Sequence, residues 1–173
     1  MPRFFIATNL VEDSEISLPS QVIQHILVLR LKVGDTIELF NGNNKAYSAK
    51  ITAINRKQVL VRVMQQQQQQ LAPPKVAIDL YISIIANDKM DLAIQKATEL
   101  GVKNIYPLIT SRSQRIHADK IFSRIKHWQQ IIHSSCEQSG NNLIPIINQP
   151  LNFANLIADN SGATKIILLP NNN

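Results

Sequence analysis

Only one cysteine stands in the 173 residues of this chain. Cys136 cannot close an internal disulfide, and a lone thiol makes no Cys/His metal cluster. Glycine is scarce too, with five in all, which leaves little material for a loop that cradles phosphates on backbone N–H groups. Neither G-x-G-x-x-G nor G-x-x-x-x-G-K-[ST] occurs, and H-E-x-x-H and G-x-S-x-G are also missing. Hydrolase, kinase and dinucleotide-dependent dehydrogenase readings all weaken, and no metal is expected. Long apolar runs are absent: residues 23–31 and 78–86 are too short or too interrupted to cross a bilayer. Residues 1–6 lack the apolar stretch of a signal peptide. Together these absences point to a cytoplasmic protein with no membrane association.

Acidic residues are few relative to basic ones, 12 against 18, so the formal net charge is +6 and the pI about 9.6. A basic balance fits a nucleic-acid partner, although many basic proteins bind nothing. Hydrophobic residues make up 45% of the chain, enough for a real core.

Six glutamines, Gln65 to Gln70, run into Leu71-Ala72-Pro73-Pro74. Two prolines cannot sit inside a helix or central strand, so a linker is expected there. The expected division is residues 1–68, a linker over 69–75, and residues 76–173. Before the linker, residues 4–7, 36–40, 46–54 and 58–63 read as strands. Asn41-Gly42 fits a tight turn, and residues 20–29 have helical spacing with Ser20 as N-cap. Several short strands and one helix suggest a small barrel.

After the linker the pattern alternates strand and helix. Residues 76–86 read as a strand buried on both faces, and 88–100 as a helix capped by Asp88 and ended by Gly101. Residues 103–109 read as a strand and 117–139 as a long helix stopped by Gly140. Residues 144–147 read as a strand, 151–158 as a short helix and 164–169 as a buried strand broken by Pro170. This order predicts a parallel α/β sheet.

Basic residues offer the candidate chemistry. Ser111-Arg112-Ser113-Gln114-Arg115 follows a strand's carboxyl end, the usual functional edge of such sheets. It can hold phosphates, or it can be an exposed polar loop. Arg30 and Lys32 follow the first helix and can form a patch with Arg3, or be solvated surface charges. His133 and Glu137 lie one helical turn apart, within hydrogen-bonding reach. Trp128 and Cys136 fall on an apolar face and read as core residues.

Four stretches then resemble a known family. "DKMDLAIQKATELGVKNIYPLITSRS" (88–113) and "HWQQIIHSSCEQSG" (127–140) are similar to the two signatures of the RsmE family, the bacterial 16S rRNA uracil-N3 methyltransferases. "MPRFF" and "HILVLRLKVGDTIELFNG" (25–42) resemble its N-terminal part. The resemblance implies a PUA-like RNA-binding β-barrel followed by an α/β SPOUT methyltransferase domain of trefoil-knot type. It also implies S-adenosylmethionine as cofactor, a homodimer, and 16S rRNA of the small ribosomal subunit as partner. In that picture Arg3, Arg30 and Lys32 guide RNA from the barrel, and Lys89, Arg112 and Arg115 lie nearer the active edge. Glu137 organises the dimer or active site, and Leu169 and Pro170 form the first wall of the cofactor pocket. Uracil N3 must lose a proton, the base must be unpaired or flipped, and positioning should supply much of the rate. No residue is assigned as general base.

The family's G-P-E-G-G loop and later threonine- and alanine-rich helix do not occur in this sequence. The methyltransferase domain is therefore expected to be incomplete. A non-enzymatic RNA-binding module is the alternative function, and a protein whose basic charge is incidental is another. Asn141, Asn41 and Asn87 depart from the family pattern, where arginine, aspartate and glycine are usual.

Overall fold

A computed structural model describes residues 1–67, 74–157 and 163–168. The expected linker lies mostly outside these, as do Leu169 and Pro170.

The first half is a mixed five-stranded sheet with one helix. Its strands are β1 (Arg3–Phe5), β2 (Glu15–Ser17), β3 (Thr36–Phe40), β4 (Ala46–Ile54) and β5 (Val59–Gln66), in the spatial order β1-β3-β4-β5-β2. Alternation drives this arrangement. Ile37 and Leu39, then Tyr47, Ala49 and Ile51, then Val59, Val61 and Val63 all face one core. Helix α1 (Ser20–Val28) closes that core with Val22, Ile23 and Ile26. One core lined by every inner strand and capped by a helix is the arrangement expected of a small barrel. β1 and β2 are the two edges, and β1 runs parallel to β3 with Arg3 opposite Glu38.

The second half has a parallel sheet of β6 (Asp79–Ser83), β7 (Asn104–Ile109), β8 (Ile146–Ile147) and β9 (Leu151–Asn152). β8 and β9 both pair with β7, so they act as one edge interrupted by residues 148–150, which include Pro150. Helices α2 (Asn87–Glu99) and α3 (Ile121–Ser139) pack together over a core of Met90, Ile94, Ile105, Trp128, Ile132 and Cys136. Gly101 and Gly140 end them in the left-handed conformation, at φ +81° in both. Their stop signals stand where the sequence puts them. A short helix α4 (Phe153–Ile157) follows β9.

Several expectations need correction. β2 escaped the sequence reading because it is three residues long with one inward apolar side chain, Ile16. Ser20 is not the N-cap of α1; Pro19 holds that position. Asp88 makes no capping hydrogen bond and sits in the first turn of α2, where its charge favours the helix N-terminus. The strand expected over 76–86 is only Asp79–Ser83, and none of its residues is buried: among the described residues no layer covers both its faces. The long helix begins as a 3-10 turn, Ala118–Lys120. Residues 151–152 are strand rather than helix.

The strand expected over 164–169 is not one in its described part. Residues 163–168 have no regular secondary structure, and Ile166, Ile167 and Leu168 are 84%, 73% and 94% exposed. Apolar content marks a strand candidate, but a strand also needs an edge to pair with. β7 is paired on both sides, and 163–168 joins no other edge among the described residues. The knot that the resemblance implies involves chain beyond this segment, outside the described residues.

Candidate nucleic-acid interface

Three regions carry the basic residues singled out by sequence. The first lies at the carboxyl ends of β6 and β7. There Ile84, Ile85 and Ala86 form an apolar floor beside Lys89, Arg112, Ser113 and Gln114, around an open cleft of about 450 Å³. Parallel pairing places Ser83 against Leu108, so the loops after the two strands emerge together. The Gln114 N–H donates to Ile84 O at 2.7 Å and ties the loop to the end of β6. Ser113 Oγ donates to Thr110 O at 3.0 Å and accepts from the Thr110 N–H at 3.1 Å. The loop is thereby held in shape while Arg112 stays exposed. Lys89 in the first turn of α2 adds a second cation. Arg115 is exposed one residue beyond the cleft lining. Two cations on a preformed edge favour an anion such as a phosphodiester.

The second region follows α1. Arg30 is exposed and holds φ +55°, a conformation that costs a non-glycine residue about 1–2 kcal/mol. It is there because it ends the helix: its N–H donates to Leu27 O at 3.1 Å, and the Leu31 N–H donates to Ile26 O at 3.1 Å. This double closure normally selects glycine. Lys32 is exposed two residues on, in a turn closed by its N–H donating to Asp35 Oδ2 at 2.7 Å.

The third region is not a free surface. Arg3 is enclosed between the two halves, its side chain 14% exposed. Its guanidinium donates to Glu38 Oε1 at 2.5 Å, to Asn141 O at 3.2 Å and to Asn142 Oδ1, and lies 4.3 Å from the centre of the Phe40 ring. Burial draws the Arg3 pKa down, and Glu38 opposes that shift. Glu137 is nearby. Its Oε1 accepts the Phe5 N–H at 2.9 Å, and burial raises its carboxyl above the ordinary value. The expected bond between His133 and Glu137 is not made. His133 instead meets Gln129 at 3.0 Å and packs against Phe5, the two rings tilted by 36° with centres 4.1 Å apart. Sequence spacing could not find Arg3's partners, which lie 35, 138 and 139 residues away.

Cys136 is buried as expected, with burial pushing its thiol up to about 12, so it is inert. A further cleft of about 410 Å³ on the first sheet mixes Glu12 and Asp13 with Lys50 and has no bias towards anions. Among the described residues no group of three or more His, Cys, Asp or Glu can hold a metal. None of their helices is long and apolar enough to cross a membrane.

The basic cleft suits an anion and not a sulfonium group, which is itself a cation. Leu169 and Pro170, named for the methyl donor, lie outside the described residues.

Two sheets joined by a helix-backed junction, with a basic cleft at strand carboxyl ends, make a two-part α/β protein with a cationic edge. A family profile described as an RNA methyltransferase domain matches residues 72–173, and one described as an RNA methyltransferase PUA domain matches residues 18–64. Ribosomal RNA small subunit methyltransferase E of Buchnera aphidicola subsp. Acyrthosiphon pisum is 32% identical over 170 residues, covering 97% of this chain and 67% of that protein. The same enzyme of Buchnera aphidicola subsp. Schizaphis graminum is 36% identical over 152 residues, covering 87% and 61%. A crystal structure of the Neisseria gonorrhoeae enzyme bound to S-adenosyl methionine superposes with a TM-score of 0.84 at 32% identity, covering 91% of this chain and 64% of that one. A Legionella pneumophila methyltransferase in complex with the same cofactor gives 0.86 at 32% identity, covering 92% and 66%. The chain belongs to the ribosomal RNA small subunit methyltransferase E family. It spans about three fifths to two thirds of the length of these relatives.

Proposed function

We propose that this chain acts on 16S rRNA of the small ribosomal subunit, in S-adenosylmethionine-dependent methylation of a uridine N3. The observation that carries the reading is the fixed basic cleft of Lys89 and Arg112 at the strand ends of the half that matches the RNA methyltransferase profile. The relatives' names supply the substrate and cofactor class.

The described residues bind and orient. Lys89, Arg112 and Arg115 hold phosphates at the active edge, and Arg30 and Lys32 hold the RNA backbone from the first half. Fixing the backbone on both sides presents an unpaired uracil edge in one orientation, the contribution that positioning makes to a displacement. S-adenosylmethionine brings its own leaving group. Residues 1–68 work as the RNA-recognition unit and 76–173 as methyltransferase scaffold, joined through 69–75, in a cytoplasmic homodimer.

A second reading is favoured by the exposure of Ile166, Ile167 and Leu168. In it the chain binds RNA and transfers no methyl group. One experiment separates the two. The chain is incubated with small subunits and S-adenosylmethionine carrying a labelled methyl group, and the RNA is digested for nucleoside mass spectrometry. Labelled 3-methyluridine supports the enzyme. Salt-dependent RNA binding without label supports the binding module. No RNA binding at low salt sinks both.

A further inference from the structure

We infer that Arg3 and Glu137 are positioning residues, which lock the RNA-recognition half to the methyltransferase half so that their basic surfaces meet RNA as one rigid platform. This rests on the RNA-binding reading above.

The geometry begins with an edge. β1 is the outer strand of the first sheet, and an outer strand leaves backbone groups unpaired. Here the second half covers that edge. Glu137, in the last turns of α3, accepts the Phe5 N–H, whose sequence position is 132 residues away. Arg3 lies two residues earlier on the same strand. It holds Glu38 of its own sheet with one nitrogen, and Asn141 O and Asn142 Oδ1 of the other half with the second. One planar guanidinium with fixed donor directions thus spans both halves, a task that a lysine point charge does less well.

Apolar contact lies between the two polar ties. Phe40 and Ala46, from the first sheet, belong to the core of Trp128, Ile132 and Cys136. Apolar packing has little directionality and tolerates sliding, whereas hydrogen bonds fix angle and register. Asn142 is 2% exposed, so its side-chain oxygen is committed to the junction. Neither Arg3 nor Glu137 lines the basic cleft.

Two basic surfaces on one rigid body engage RNA at a high effective concentration. Loosening the junction should weaken binding without removing a phosphate contact. That separates a positioning residue from an RNA-contacting one. Each phosphate contact adds about 0.7–0.9 to the slope of log affinity against log salt. Arg3→Ala should therefore lower RNA affinity about tenfold and leave the slope unchanged.

The test uses the full chain with spin labels on Lys57→Cys and Gln130→Cys, one in each half, diluted into excess unlabelled chain so that only the distance within one chain is read; Cys136 is buried and does not react. Distance distributions are measured without RNA. A single narrow distance is expected in the parent and in Glu137→Gln, whose amide oxygen still accepts the Phe5 N–H. Arg3→Ala and Glu137→Ala should broaden it. Narrow distributions in both alanine variants would overturn the inference, because the apolar contact would then suffice. A slope reduced by about 0.7–0.9 in Arg3→Ala would also overturn it, making Arg3 an RNA contact. Broadening with unchanged RNA affinity would overturn the positioning role. Should the parent bind no RNA, the RNA reading fails, and a narrow distance in the alanine variants would separately refute the lock.

Discussion

Glu137 Oε1 accepts the backbone N–H of Phe5 at 2.9 Å, joining α3 of one half to β1 of the other. Removing a carboxylate from water raises its pKa, and burial is the largest influence on this one. The Phe5 N–H, His25 of α1 and Arg3 of β1 pull the other way. The buried Cys136 thiol, pushed up to about 12, stays neutral beside it. The native chain thus binds the Glu137 proton more tightly than the unfolded chain does. This favours folding fully below the ordinary value of 4.5, and is lost as pH rises through the raised native value. Glutamine does not titrate. The stability of the wild type relative to Glu137→Gln should therefore fall as pH rises from below 4.5 towards neutrality. Urea midpoints of both proteins across that range check it. His133, which burial pulls down, is present in both and cancels. A difference that does not change with pH would show that the native carboxyl is not raised.

Ile132 lies in the core shared by the two halves and is wholly buried. Ile132→Ala should cost about 2–5 kcal/mol, the lost transfer energy plus the cavity left behind. Leu92 on the neighbouring α2 is exposed, and Leu92→Ala should stay within about 0.5 kcal/mol. Denaturant unfolding of the two variants measures the contrast. Similar losses would mean that the face of α2 bearing Leu92 is covered in solution.

Gly34 and Gly42 both hold positive φ, at +98° and +89°. A Cβ on Gly34 would meet nothing within 4 Å, whereas one on Gly42 would stand 3.2 Å from Ile144 Cδ1 across the junction. Gly34→Ala should cost about 1 kcal/mol through backbone strain alone. Gly42→Ala should cost roughly 1 kcal/mol more through overpacking. Equal urea midpoints would mean that Ile144 gives way freely.

Local signals in the sequence proved legible. Gly101 and Gly140 mark helix ends because a left-handed stop needs no distant partner. β3 and β4 follow alternation that their own residues carry. Lys89 and Arg112 meet because both follow strand ends, and parallel pairing brings strand ends together. Long-range placement was not legible. The pattern around Arg3 shows a surface cation as readily as a junction, since nothing near residue 3 points to Asn141 or Asn142. Ile166 to Leu168 have a strand's composition, but composition does not supply an edge. His133 and Glu137 have helical spacing for a mutual bond, yet each is taken by a residue from β1.

Arg30 tests whether local strain is retained for binding. At φ +55° it occupies the position after α1 that glycine fills without penalty. The double closure onto Ile26 O and Leu27 O uses only backbone groups and survives substitution. Arg30→Gly should therefore stabilise the fold by about 1 kcal/mol, the cost of the left-handed conformation for a residue with a Cβ. If the side chain holds a phosphate, the same change should weaken RNA binding and reduce the salt slope by about 0.7–0.9. A more stable protein that binds RNA less well would show arginine at a helix stop being kept for its charge. Increased stability with an unchanged slope would remove Arg30 from the RNA surface and leave Lys32 as the cation of that turn. Decreased stability would mean that the Arg30 side chain makes a contact worth more than the strain it imposes. Thermal unfolding and RNA titration at several salt concentrations, on the same two proteins, distinguish these outcomes.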